Sequence, residues 1–150
     1  MANTLIMENA KIRFRNFSGR PDEYTREGDR SFALVIDDED LTNKLKEDGW
    51  NVRMRMPKND GEDPWYYLKV KVNFGGFPPK IIEVTSRNRV SLNEETVGIL
   101  DSAELKSVDV EISPYHWEIG GRSGITAYLK TMYATIEEDP FAAKYELTDF

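Results

Sequence analysis

Trp65-Tyr-Tyr-Leu-Lys-Val-Lys-Val-Asn-Phe74 is the stretch that decides the fold. Successive side chains of an extended chain point to opposite faces. Tyr66, Leu68, Val70, Val72 and Phe74 therefore share one face of a strand, and Trp65, Tyr67, Lys69, Lys71 and Asn73 share the other. One face is fit for a core, while the other mixes cations with large rings. Gly75, Gly76, Pro78 and Pro79 break the strand. The same period of two recurs upstream. In Lys11-Ile-Arg-Phe-Arg-Asn-Phe17, Ile12 and Phe14 point one way and Lys11, Arg13, Arg15 and Phe17 the other. From Asn51 to Met56, Val52, Met54 and Met56 oppose Asn51, Arg53 and Arg55.

Working outward, residues 18–30 are polar, carry Gly19, Pro21 and Gly28, and form a loop. Ser31 to Ile36 is a short apolar strand. Asp37-Asp38-Glu39-Asp40 places acid at a helix start, where it complements the positive end of the helix dipole. Leu41 and Leu45 share one helical face, and Gly49 ends the helix. Lys80 to Arg87 is another strand, followed by the basic pair Arg87 and Arg89. Asn93 to Leu100 has the pattern of a second short helix, with Glu94 and Glu95 in its first turn. Glu104 to Trp117 and Ile125 to Glu137 are extended runs joined through Gly120-Gly-Arg-Ser-Gly124, as a hairpin turn or a mobile loop that offers Arg122 to a phosphate. Beyond Asp139-Pro140 the periodicity is lost. Roughly six or seven strands with Gly/Pro turns predict a mainly β barrel or sandwich. The expected organisation is one domain over residues 1–137 and an acidic tail over 138–150.

The 150 residues suffice for one core without disulfides or a structural metal. With no cysteine, a disulfide framework and Cys-ligated zinc or iron–sulfur sites are excluded. No apolar run approaches the length of a membrane span and no signal-peptide pattern opens the chain, so a cytoplasmic location is expected. The formal net charge of −7 at first argues against a nucleic-acid partner. Its distribution reverses that argument: residues 1–90 carry a net +1 and residues 91–150 a net −8.

The principal functional signal is the polar face of three strands. It carries Lys11, Arg13 and Arg15, then Arg53 and Arg55, then Lys69 and Lys71, interleaved with Phe17, Trp65 and Tyr67. Cations neutralise phosphates and exposed rings stack on bases, the mixture that single-strand binding needs. For any one strand, a solvated face guarded by Lys and Arg against edge pairing explains the pattern equally well. The same segregation on three strands points to a binding surface, with Trp65 and Tyr67 as the favoured stacking platforms and Tyr115 and Trp117 behind them. Tyr128 and Tyr133 stand on opposite faces of their strand, so at most one of them is expected on that surface. The second signal is the tail, where residues 137–150 hold five acids, one Lys and a terminal Asp149-Phe150, an apolar anchor beside negative charge. A frayed acidic terminus is the simpler alternative.

Catalytic constellations are scarce. The only histidine is His116, so no His-pair metal site or His-centred triad forms within one chain. The run Asp37 to Asp40 is a candidate cation site, although helix-start charge accounts for it more simply. Gly120-Gly-Arg-Ser-Gly124 lacks the ending and the following helix of a phosphate loop. No enzyme activity, cofactor or metal is expected.

Five segments taken in order resemble the bacteriophage single-stranded DNA-binding proteins: Asn9-Ala-Lys-Ile-Arg-Phe-Arg-Asn-Phe-Ser-Gly-Arg20, Gly49-Trp-Asn-Val-Arg53, Tyr67-Leu-Lys-Val-Lys-Val72, Val108-Asp-Val-Glu-Ile-Ser-Pro-Tyr-His-Trp117 and Gly124-Ile-Thr-Ala-Tyr-Leu-Lys-Thr-Met-Tyr133. The resemblance spans roughly residues 5–145. It implies an OB-fold-like five-stranded barrel, here elaborated with extra strands and two short helices. It also implies binding of single-stranded DNA with little sequence preference, in phage replication and recombination within the infected host cell. An acidic C-terminal tail regulates DNA binding in that family and contacts replication partners. This tail is shorter and less acidic, which puts the strength of such regulation in question. The expected DNA-binding set is the three-strand face with Arg87, Arg89, Tyr115, Trp117 and Arg122, while Asp149 and Phe150 would engage replication or recombination proteins. A homodimer stays an open alternative. Two rivals remain: an acidic DNA-mimicking inhibitor of a host nucleic-acid enzyme, and a metal-dependent nuclease.

Overall fold

The computed structural model describes residues 3–23, 26–59 and 61–137. The tail, with Asp149 and Phe150, lies outside the described residues. The elements are β1 (Leu5–Met7), β2 (Lys11–Asn16), β3 (Ser31–Ile36), α1 (Glu39–Glu47), β4 (Arg53–Arg55), β5 (Trp65–Lys71), β6 (Lys80–Val84), β7 (Arg89–Leu92), a 3₁₀ helix (Val97–Asp101), β8 (Leu105–Ile119) and β9 (Arg122–Ile136). The sheet runs β1-β8-β9-β5-β3-β2. β1 and β2 are two halves of one strand, broken at Asn9 (φ 51), the first paired with β8 and the second with β3. Ala10 N–H donates to the Val108 carbonyl at the junction, 2.7 Å. The order thus returns to its start, as in an OB-like barrel, and β4, β6 and β7 are additions to it.

The period-two reading of β5 matches its burial: Leu68 and Val70 are in the core, while Lys69 and Lys71 are exposed. They meet Phe17, Phe32, Leu34, Ile81, Ile112 and Met132 in one continuous core. α1 begins where its acid predicts, with the Asp38 carboxylate accepting from the backbone N–H groups of Asp40 and Leu41. Gly49 (φ 96) ends it, and Trp50 N–H donates back to the Leu45 carbonyl, which carries the Trp50 ring into the core.

Several expectations are corrected. The strand Lys80 to Arg87 stops at Val84, because Thr85 N–H pairs with the Asn88 carbonyl and turns the chain into the β6–β7 hairpin. The second helix is a 3₁₀ turn preceded by an Asn93 side-chain turn. The turn between the long strands is Gly120-Gly121 alone, both at positive φ, and Arg122 to Gly124 belong to β9.

Of the three register shifts in the sheet, the two in β2 and β9 decide which side chains flank the site. In β2 the pairing passes from Arg13↔Ala33 to Asn16↔Ser31, so one extra residue is accommodated at Phe14, whose φ is 54. Alternation reverses beyond it. Phe14 is 57% exposed and Phe17 is 0% exposed, the opposite of the unbroken alternation. In β8–β9 the pairing passes from Glu111↔Thr131 to Ile112↔Leu129, with the extra residue at Lys130. Leu129, Met132 and Ala134 are all buried as a result. Tyr128 and Tyr133 then both stand off the core side, contrary to the expectation that they oppose each other.

Candidate nucleic-acid interface

The outer face of β5 is the floor of the site. β3 runs along one edge of it, and the other edge is shared: β4 pairs with Trp65 to Tyr67 and β9 pairs with Val70 and Lys71. Between β4 and β9 the edge is open at Leu68 and Lys69. A cleft of about 600 Å³ occupies this gap, lined among others by Arg53, Lys69, Lys71, Trp117 and Gly124. A second cleft of about 790 Å³ continues over Phe14, Arg55 and Tyr67, and shares Arg53 and Lys69 with the first. A third, about 320 Å³, shares Lys69 and Lys71 and extends to Arg30, Phe74 and Tyr128. One basic groove thus follows β5 along its length.

A cluster of rings sits at the Trp65 end. Phe14 stacks on Trp65 with centroids 6.0 Å apart, and Trp65 meets Tyr67 at 5.2 Å. The guanidinium of Arg13 lies 4.7 Å from the centre of the Trp65 ring and that of Arg55 4.6 Å from the Phe14 ring. Cations over ring faces hold rings and charge on one surface. The bulge supplies the Phe14 contact, since an unbroken β2 would turn this ring inward. A non-glycine residue at positive φ is strained by about 1–3 kcal/mol and persists only when its surroundings impose it. Here the imposing groups are identifiable. The Asp101 carboxylate accepts from Phe17 N–H (2.6 Å) and Ser18 N–H (3.1 Å). Arg15 donates to the carbonyls of Leu100 (2.8 Å) and Ala103 (2.7 Å). The 3₁₀ helix therefore locks the register that follows the bulge.

Trp117 reaches the groove from β8. It stands opposite Gly124, where an added Cβ would come within 2.6 Å of the indole. The missing side chain lets the ring lie flat across the hairpin and close the cleft wall. Tyr115 is on the same side of β8 and meets Tyr128 edge-on at 6.0 Å.

The other expected residues divide. Lys11 is exposed and ion-paired with Asp37, 3.4 Å. Arg15 lines the second cleft, but its guanidinium serves the Leu100 and Ala103 carbonyls. Phe17 lies in the core and offers no ring to a ligand; this corrects its assignment to the outer face. Arg87 is in the β6–β7 turn and Arg89 opens β7, which among the described residues pairs only with β6; neither is on β5. Arg122 is at the tip of the β8–β9 hairpin. Phe14 and Tyr128 join the set that was not foreseen; no signal in the sequence marks a bulge, which exists only against a partner strand. Among the described residues no group of three or more His, Cys, Asp or Glu is placed to hold a metal ion. No described helix is long and apolar enough to cross a membrane.

A barrel carrying a cationic, ring-lined groove on one sheet face has the architecture of single-strand-binding OB-like proteins. The chain belongs to the phage ssDNA-binding domain family, whose model matches residues 1–149. The fold is shared with the single-stranded DNA-binding protein of bacteriophage Enc34, at a TM-score of 0.57 and 12% identity, over 97% of this chain and 88% of that one. It is likewise shared with the Enc34 protein in complex with ssDNA, at a TM-score of 0.55 and 12% identity, over 93% and 89%. No curated protein matches the chain.

Proposed function

We propose that this protein coats single-stranded DNA, without sequence preference, in phage replication and recombination, and that it makes and breaks no bond. The carrying observation is the juxtaposition, on one face, of the Phe14–Trp65–Tyr67 rings with Arg53, Arg55, Lys69 and Lys71. Phosphates meet the cations, and unpaired bases lie on the rings. A duplex hides its base faces inside the stack, so only its phosphates are available to this surface, and single strands are favoured. Every base has a π-face, which makes the contact tolerant of sequence. Family membership and the fold shared with an ssDNA-bound phage protein support this reading.

The working unit in this reading is the barrel of residues 1–137, with residues 138–150 as an acidic tail that competes for the groove and presents Asp149 and Phe150 to replication or recombination proteins. The site of action is the cytoplasm of the infected bacterium. A mobility-shift comparison of an oligopyrimidine single strand with the matching duplex, with and without Mg²⁺, tests the proposal. Preferential, Mg²⁺-independent retention of the intact single strand is expected. Cleavage with Mg²⁺, or no binding to either strand form, would overturn it in favour of a nuclease or a DNA mimic.

A further inference from the structure

A second aromatic site stands at the other end of the groove. Phe77 is 98% exposed, the extreme among the large apolar side chains described. The loop that carries it is built to hold it there. The Asn73 side-chain oxygen accepts from Gly75 N–H, 2.9 Å, and Gly76 adopts φ 74. Pro78 and Pro79 fix the backbone after the ring, and Pro79 is itself buried. A single exposed apolar ring is ordinary on a protein surface, so what distinguishes Phe77 is the company it keeps.

Phe77 lines a cleft of about 690 Å³ together with the Tyr115–Tyr128 pair, Lys80 and Lys130. This cleft shares Asn73 and Tyr128 with the groove over Lys71, and Tyr128 stands in register with Lys71. It is therefore continuous with the basic groove. Lys80 is exposed at its rim, and Lys130 is paired with Glu111 at 3.7 Å. Rings flanked by cations, at the end of a cationic track, repeat the chemistry of the Trp65 end.

We propose that Phe77, Tyr115 and Tyr128 form a second base-stacking site, which receives bases of the same single strand after it has passed Lys69 and Lys71. The inference rests on the reading of the groove as a single-strand site. The β5 segment from Trp65 to Lys71 is about 20 Å long at 3.3 Å per residue. It is spanned by about six nucleotides at a stacked rise of 3.4 Å. A strand must be longer than that to touch both ring sites.

The test compares wild type with Phe77→Ala by fluorescence anisotropy, using oligothymidines of about 6 and about 15 nucleotides, the second near the upper site size of an OB fold. Phe77 supports no core contact, so the variant folds as wild type does, which circular dichroism checks. Losing one stacked base, about 1–3 kcal/mol, corresponds to about 5- to 150-fold in affinity. That loss is expected on the long oligonucleotide, with less than about twofold change on the short one. Equal affinity of variant and wild type for the long strand overturns the site and assigns Phe77 to another partner. An equal loss on both lengths overturns it as well, because the ring is then not at the far end. Failure of wild type to bind either length would instead overturn the reading of the whole groove, a result distinct from these two.

Discussion

Neutralising Lys69 tests the groove most directly, because this residue lines all three of the clefts that run together along β5. Among the described residues Arg13, Arg53, Arg55, Lys69 and Lys71 face the groove without a carboxylate partner, whereas Arg20 and Arg30 are paired with Asp101 and Glu94 and Arg15 serves the Leu100 and Ala103 carbonyls. Each phosphate they neutralise releases condensed counterion, with a slope of about −0.7 in log affinity against log salt for single strands. If all five engage phosphates, the slope is about −3.5, and affinity falls about a hundredfold between 50 and 200 mM salt. Lys69→Gln keeps most of the side-chain length, removes the charge, and sits at an exposed strand position, so the fold is retained. It is expected to flatten the slope by about 0.7, to about −2.8, and to weaken binding equally on every base composition. Anisotropy titrations of oligothymidine and oligocytidine at four salt concentrations measure both. A wild-type slope near zero, or a Lys69→Gln slope equal to the wild-type one, would refute the placement of the strand along β5.

Phe14→Ala and Trp65→Ala should each weaken single-strand affinity by about 5- to 150-fold while the unfolding transition stays cooperative; normal affinity in both variants would move the stacking platform elsewhere. Phe17→Ala should behave oppositely, lowering stability by about 3–5 kcal/mol as a core cavity, read by denaturant unfolding, because the ring is buried rather than offered to DNA. Gly124→Ala forces the Trp117 ring from its seat and is expected to cost about 1–3 kcal/mol; an unchanged unfolding midpoint would mean the indole moves away freely. Deleting residues 138–150, whose attachment to the same chain makes any encounter with the groove intramolecular, should raise DNA affinity most at low salt, and unchanged or lower affinity would exclude the tail as a competitor.

The sequence alone determined what depends on neighbours along the chain. The alternation of β5 separates its apolar and cationic faces because the strand period is two, and no partner strand is needed to see it. Asp38 and Gly49 bound α1 through bonds that close within a few residues. The Gly120-Gly121 turn is legible for the same local reason. Only the tertiary structure decided which of the two faces each half of β2 and β9 presents. The extra residues at Phe14 and Lys130 are defined by pairing with β3 and β8, and each reverses every side chain that follows. That is why Phe17 left the surface for the core and Phe14 took its place beside Trp65. The convergence of Phe14, Trp65 and Trp117 on one groove joins residues far apart in the chain, through strand pairings that the alternation in each strand by itself does not specify.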